Sequence, residues 1–316
     1  MTTISTRLSL PAGARVLMPA ESSRRRSLES RIVTELQRGD YAEIILPVLD
    51  FVDPYRDVIP DDRSRQSYRF MDRNGDLVGI RSDFTPLAAR ALSRALTASD
   101  LPLRIFYRGE VIRTGRNRLG PNRELFQIGS ELLGVPAPDG DVEILRMAAA
   151  AVGSTGLRPI IALSDVAIVS EMIGMLEPST GLSLRDALSE KRFDTVEALL
   201  RKESAELHEL IDLLVTANPV SELGRFVAHP VLGGSARRIL AVTQAVSGFP
   251  ADLALQLDAG VSPHSYYTGL QFQVISPATR QLIGSGGRYD ELYGRFGFDC
   301  PAVGFTLNVD DLEELL

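Results

Sequence analysis

Two polar segments flank an arginine-rich stretch near the middle of the chain, and their residue types suit the binding of a small charged molecule. Tyr107-Arg-Gly-Glu110 precedes the stretch, and Arg123-Glu-Leu-Phe-Gln127-Ile-Gly129-Ser-Glu131 follows it. Ile105-Phe106-Tyr107 and Leu125-Phe126-Gln127-Ile128 read as short β-strands. Gly115, Gly120 and Pro121 break the chain between them, so the whole predicts a hairpin. Arg108, Arg113, Arg116, Arg118 and Arg123 then lie in or beside one loop. Guanidinium groups crowded in this way repel one another unless anions visit them, and their bidentate fork matches phosphate or carboxylate. A solvated charged hairpin would carry the same charges. Glu110, Gln127 and Glu131, set among strand residues, favour a site lining. Earlier in the chain, Asp83 and Thr85 pair a carboxylate with a hydroxyl, which suits an ammonium group. They also precede the helical run from Pro86, where Asp83 fits an N-cap. Later, Tyr266 and Tyr267 form a flat wall with hydroxyls, or alternatively two aromatics on a half-buried strand. The glycines of Gly284-Ser-Gly-Gly-Arg288 let the backbone approach a bound molecule closely.

The elements that must hold these residues are legible in outline. Leu28, Ile32 and Leu36 recur every four residues and predict an amphipathic helix over 22–38. Tyr41 to Pro47 reads as a strand ending in proline. Tyr68 to Asp76 is a hairpin with Asn74-Gly75 at its turn. A helix over 141–152 and a strand over 159–163 follow. From 165 to 248 the pattern is helical, with no clear strand and no recognisable chemistry. Strands resume at 254–258.

Bulk properties narrow the function. With 316 residues, 44% hydrophobic and 24% charged, the chain has the make-up of a soluble globular protein. It has no apolar run long enough for a membrane span and no secretory h-region, so a cytoplasmic location is expected. A single cysteine, Cys300, and three scattered histidines predict neither disulfide nor metal site, and no cofactor is expected. A net charge of −7 argues against sequence-independent nucleic-acid binding.

Tyr107 to Glu131 resembles motif 2 of class II aminoacyl-tRNA synthetases in the version found in histidyl-tRNA synthetase. The helix and strand ending at Pro47 resemble motif 1, which builds the dimer interface of that fold. Tyr266-Tyr267-Thr268-Gly269 and Gly284 to Asp290 resemble its two histidine-specific motifs, and Pro301 to Phe305 begins motif 3. The resemblance implies an α+β class II architecture, an antiparallel sheet flanked by helices, over 1–164 and 249–316, with an all-helical insertion at 165–248. It implies a histidine pocket of Asp83, Thr85, Arg108, Gln127, Glu131, Tyr266 and Tyr267, with Arg113, Arg116, Arg118 and Arg123 as anion-binding residues.

Departures from the pattern are as informative. Ser262 and Asp311 stand where the synthetases carry arginines that serve amino-acid activation, and no C-terminal anticodon-binding domain is expected. Losing one well-aimed donor typically costs about 10²–10³ in rate. The combination resembles the synthetase paralogues that act as regulatory subunits of ATP phosphoribosyltransferase. That resemblance implies a non-catalytic partner of the short-form catalytic subunit, which it activates and subjects to feedback inhibition by histidine, with self-association into a dimer and no tRNA. Histidine could occupy the ancestral pocket or an intersubunit site. A minimal histidine-activating enzyme and a stand-alone histidine sensor are the alternatives.

Overall fold

The computed structural model describes residues 10–59, 67–114, 122–189, 192–201, 213, 218–248, 254–257 and 266–316. Helix α1, Pro19–Arg38, starts at a proline with Glu21 in its first turn, both favoured at a helix N-terminus. Leu28, Ile32 and Leu36 are buried, as their spacing predicts. The short strand β1, Ala42–Glu43, follows and pairs in parallel with β5, Leu103–Ile112. Three strands form a separate small sheet in the order β2–β4–β3: β2 is Leu49–Phe51, β3 is Arg69–Met71 and β4 is Leu77–Ile80. The predicted turn joins the last two. Asp72 accepts the backbone N–H groups of Asn74 (2.8 Å) and Asp76 (2.9 Å), and Gly75 takes φ +88°, where a side chain would be strained.

The main sheet has nine strands in the order β1–β5–β6–β12–β11–β10–β7–β9–β8. Its central members are β6 (Glu124–Leu133), β7 (Ile160–Asp165), β10 (Leu270–Ile275), β11 (Leu282–Arg288) and β12 (Ala302–Asn308). From β5 to β7 across the sheet every pair is antiparallel. β9, Ala254–Leu257, pairs in parallel with β7, and β8, Asn218–Pro219, closes the far edge. Strands β5 and β6 each span ten residues, well beyond the short hairpin expected. Arg108 and Glu110 are therefore inside a strand and not in a loop.

Alternation gives the sheet two chemically different faces. Phe106, Ile128, Leu132, Phe272, Val303 and Phe305 point to one face and merge with helices into the largest apolar core. Those helices include α1, α3 (Asp139–Gly153), α4 (Val166–Gly174), α5 (Pro178–Ser189), α6 (Phe193–Leu200) and α7 (Gly233–Val246); α2 (Phe84–Ser93) packs on the opposite side. Among its described residues the stretch expected to be all-helical has a strand, β8: its two residues pair with β9, although Pro219 can give no ladder N–H, a position tolerated at a sheet edge.

Two buried ionic clusters fix the helices to the sheet. Arg288 at the end of β11 donates to Asp141 of α3 (2.7 Å) and to Asp290 (2.9 Å). Asp310, in the first turn of α8 (Val309–Glu314), accepts from Arg15, from Arg25 of α1 (2.5 Å) and from the backbone N–H of Phe126 on β6 (2.7 Å). One carboxylate thus ties the start of the chain, α1 and β6 to the terminal helix. Among the described residues no helix is long and apolar enough to cross a membrane.

Candidate functional site

The second face of the sheet carries polar groups in a row. The register aligns Ile105, Glu131, Gly304, Gly287, Gln271 and Ser164 across six neighbouring strands. Glu131 sits fully buried near the middle. Its Oε1 accepts from the Tyr107 hydroxyl (2.9 Å), which lies 3.3 Å from Thr85 Oγ1. Its Oε2 has no partner. Burial pushes the Glu131 carboxyl up to about 8; the hydroxyls of Tyr107 and Thr85 work against that shift, and the charge of Asp83 adds to it. An ordinary carboxyl titrates near 4.5, so this one is largely neutral at pH 7 while the site holds no cation.

Three glycines make room for the arrangement. A side chain on Gly129 would strike the Tyr107 ring, and one on Gly304 would strike both Glu131 Oε2 and the Tyr289 hydroxyl. One on Gly287 would strike the Tyr267 ring. Tyr266, Tyr267 and Tyr289 then form a three-ring wall, with centroids 4.9 Å apart for Tyr266 and Tyr267 and 5.9 Å apart for Tyr266 and Tyr289. Tyr266 donates to Asp83 Oδ2 (3.4 Å). Asp83 is also the N-cap of α2, its Oδ1 accepting from the Thr85 N–H at 3.2 Å, as the capping reading expects.

Six expected residues are thus brought to one face: Asp83, Thr85, Gln127, Glu131, Tyr266 and Tyr267. Gln127 lies farther along it and donates to Asn308 Oδ1 (2.9 Å). Arg108 is the exception. Strand alternation turns it to the opposite face, where its Nε meets Glu43 Oε1 at 2.8 Å and Glu29 lies 3.8 Å away. Its adjacency to Tyr107 in sequence separates the two residues in space. Of the loop arginines, Arg113 donates to the Ser82 carbonyl (3.0 Å) and Arg123 to the Tyr68 hydroxyl (2.8 Å). Arg116, Arg118 and Ser262 lie outside the described residues.

Tyr107 and Tyr289 lie inside the motifs but were given no site role there, and Gln271 and Asn308 share the same face. Tyr107 and Gln271 follow from period-two alternation once the strands are known, whereas Asn308 needs the β6–β12 pairing. Asp311, in the first turn of α8, is buried; its Oδ1 accepts from Gln281 (3.2 Å), and burial lifts its carboxyl to about 6. This puts a second buried acid beside Asn308, the partner of Gln127. No cluster of potential metal ligands occurs among the described residues.

Comparison with known proteins places this geometry. Residues 13–312 match the family described as histidyl-tRNA synthetase. A protein of Geobacter sulfurreducens named ATP phosphoribosyltransferase regulatory subunit is 31% identical over 311 residues, covering 95% of this chain and 71% of that one. One of the same name from Moorella thermoacetica is 29% identical over 315 residues, covering 96% and 81%. The solved structure of an ATP phosphoribosyltransferase regulatory subunit/histidyl-tRNA synthetase from Bacillus halodurans superposes with a TM-score of 0.87 at 23% identity, covering 98% of this chain and 83% of that one.

The raised Glu131 carboxyl makes stability pH-dependent. Between its ordinary value of 4.5 and about 8, the folded protein binds the proton that the unfolded chain releases. The stability associated with this group is present below that window and is lost as pH rises through it, on the order of a few kcal/mol in all. Urea unfolding of wild type and Glu131→Gln from pH 5 to 8.5 measures this. The wild type should lose stability relative to the variant as pH rises; parallel curves would show that Glu131 stays ionised.

Proposed function

The chain belongs to the histidyl-tRNA synthetase family, among its members named ATP phosphoribosyltransferase regulatory subunit, and we infer that it is the regulatory subunit of ATP phosphoribosyltransferase, acting in histidine biosynthesis. In this reading it carries out no aminoacylation. It activates the short-form catalytic subunit and makes that enzyme answer to histidine from a cytoplasmic complex. One observation carries the proposal: a deep polar row around Glu131, suited to a ring N–H and an ammonium, stands beside a buried acid at Asp311. Binding chemistry is present where phosphate chemistry is opposed.

The roles follow from the groups. Glu131 and the tyrosine wall take the imidazole, Asp83 and Thr85 take the α-ammonium, and Gln127 serves the polar backbone end. Arg113, Arg116, Arg118 and Arg123 would supply the anion-attracting charge. Arg108, on the far face, is left out of the pocket. Feedback requires histidine to bind two states of the complex unequally, and a pocket whose carboxyl changes charge on binding offers one way for it to do so.

The chain divides, in this proposal, into a synthetase-like domain of 1–164 and 249–316 and an insertion of 165–248. The side-by-side pairing of β7 and β9 supports the division, because the intervening chain leaves and re-enters the sheet at adjacent strands. Self-association is proposed through the small sheet and the segment before it. Leu49, Phe51 and Phe70 are half-exposed on one face of that sheet, and Ile45 is 94% exposed, an apolar surface that a partner copy would cover.

Reconstitution tests the function. The short-form catalytic subunit of the same genome should turn over faster with this protein than without it, and L-histidine should reverse the gain. A catalytic subunit indifferent to the addition would contradict the proposal. Light scattering of the isolated protein should give twice the chain mass; a monomer would remove the proposed interface.

A further inference from the structure

Gln271 is 2% exposed on β10, and among the described residues neither its amide nitrogen nor its amide oxygen has a hydrogen-bond partner. A buried amide with both ends unmet is unusual, since most buried polar atoms are paired and an orphan incurs its full desolvation cost. Its position explains it. Gln271 pairs with Gly287 on one side and Ser164 on the other, in the row that contains Glu131, and in that register Gly304 and Gly287 are the strand positions between the two. Neither glycine contributes a Cβ. Two further unpaired atoms occupy the same stretch, Glu131 Oε2 and the Tyr289 hydroxyl, which converge above Gly304. The Tyr267 ring lies over Gly287, next to the amide.

Strand neighbours are about 4.8 Å apart, so the three steps from Glu131 to Gln271 span roughly 14 Å between backbones, less the reach of both side chains. We propose that Gln271 is a specificity-determining residue of the pocket, hydrogen-bonding the ring end of the bound amino acid opposite Glu131. An amide both donates and accepts, so it matches a ring nitrogen in either protonation state, and it discriminates against apolar rings that would leave it unmet. This rests on the histidine-pocket reading above and adds to it a contact that no motif points to.

The test is calorimetric titration of L-histidine into the wild type, Gln271→Met and Gln271→Glu, with thermal unfolding of each free protein. Methionine keeps the length and removes the hydrogen bonds; glutamate keeps an acceptor. Gln271→Met should bind L-histidine roughly three- to tenfold more weakly, the worth of one neutral hydrogen bond, while its free form unfolds at the same or a higher temperature because an unmet amide has gone. Gln271→Glu should recover part of the affinity. Equal affinity of wild type and Gln271→Met overturns this inference alone. A parallel fall in affinity and in unfolding temperature also overturns it, since that marks a structural residue. A wild type that does not bind L-histidine removes the pocket reading itself, and this inference with it.

Discussion

A carboxyl group buried in the middle of a β-sheet with no cation beside it is the constraint around which this protein is built. Glu131 meets one hydroxyl through Oε1 and nothing through Oε2, and burial holds it near neutral. Such a group is costly unless it changes protonation or finds a partner. The surrounding structure keeps it in place. The ten-residue pairing of β5 with β6 fixes its register, and glycines at 129, 287 and 304 clear space for Tyr107, Tyr267 and Tyr289 around it. On the reverse face the apolar side chains of the same strands pack on helices, which makes the sheet rigid enough to hold an unmet group.

The same charge logic separates binding from catalysis. A ligand cation arriving at Glu131 reverses the balance that burial sets, because an opposite charge at hydrogen-bond distance favours the ionised form. In the function proposed above, amino-acid activation would be opposed by the acids of α8, where Asp310 is committed to Arg15, Arg25 and the Phe126 N–H and Asp311 is a second buried acid. Stabilising the transition state of that reaction calls for cations. A pocket that senses an amino acid needs only the first half of this arrangement, together with a second state of the assembly that binds the ligand less well.

Much of this was readable in the sequence, and the failures have identifiable causes. Leu28, Ile32 and Leu36 gave α1, Asn74-Gly75 gave its hairpin, and Asp83 showed its capping role, because local spacing determines all three. Arg108 was misplaced. Its motif neighbours Tyr107 and Glu110 suggested a common site, but once β5 runs to Ile112, alternation sends Arg108 to Glu43 on the other face. Gln271 carries no local signal of a site role, and only the pairing of β10 with Gly287 reveals the face it shares with Glu131. The two-residue strand β8 exists through its partner β9, a non-local contact that no window of 165–248 contains.

The most direct test of the account is thermal unfolding of wild type and Glu131→Gln at pH 7, with and without L-histidine. A ligand that binds only the folded state stabilises it by about 2.7 kcal/mol at a hundred times its Kd. The charge-assisted hydrogen bond lost with Glu131 is worth roughly 1.5–3 kcal/mol, so at the same concentration the variant should show little shift while the wild type shows a clear one. Equal shifts in the two proteins, or no shift in the wild type, would contradict the claim that Glu131 anchors a histidine site.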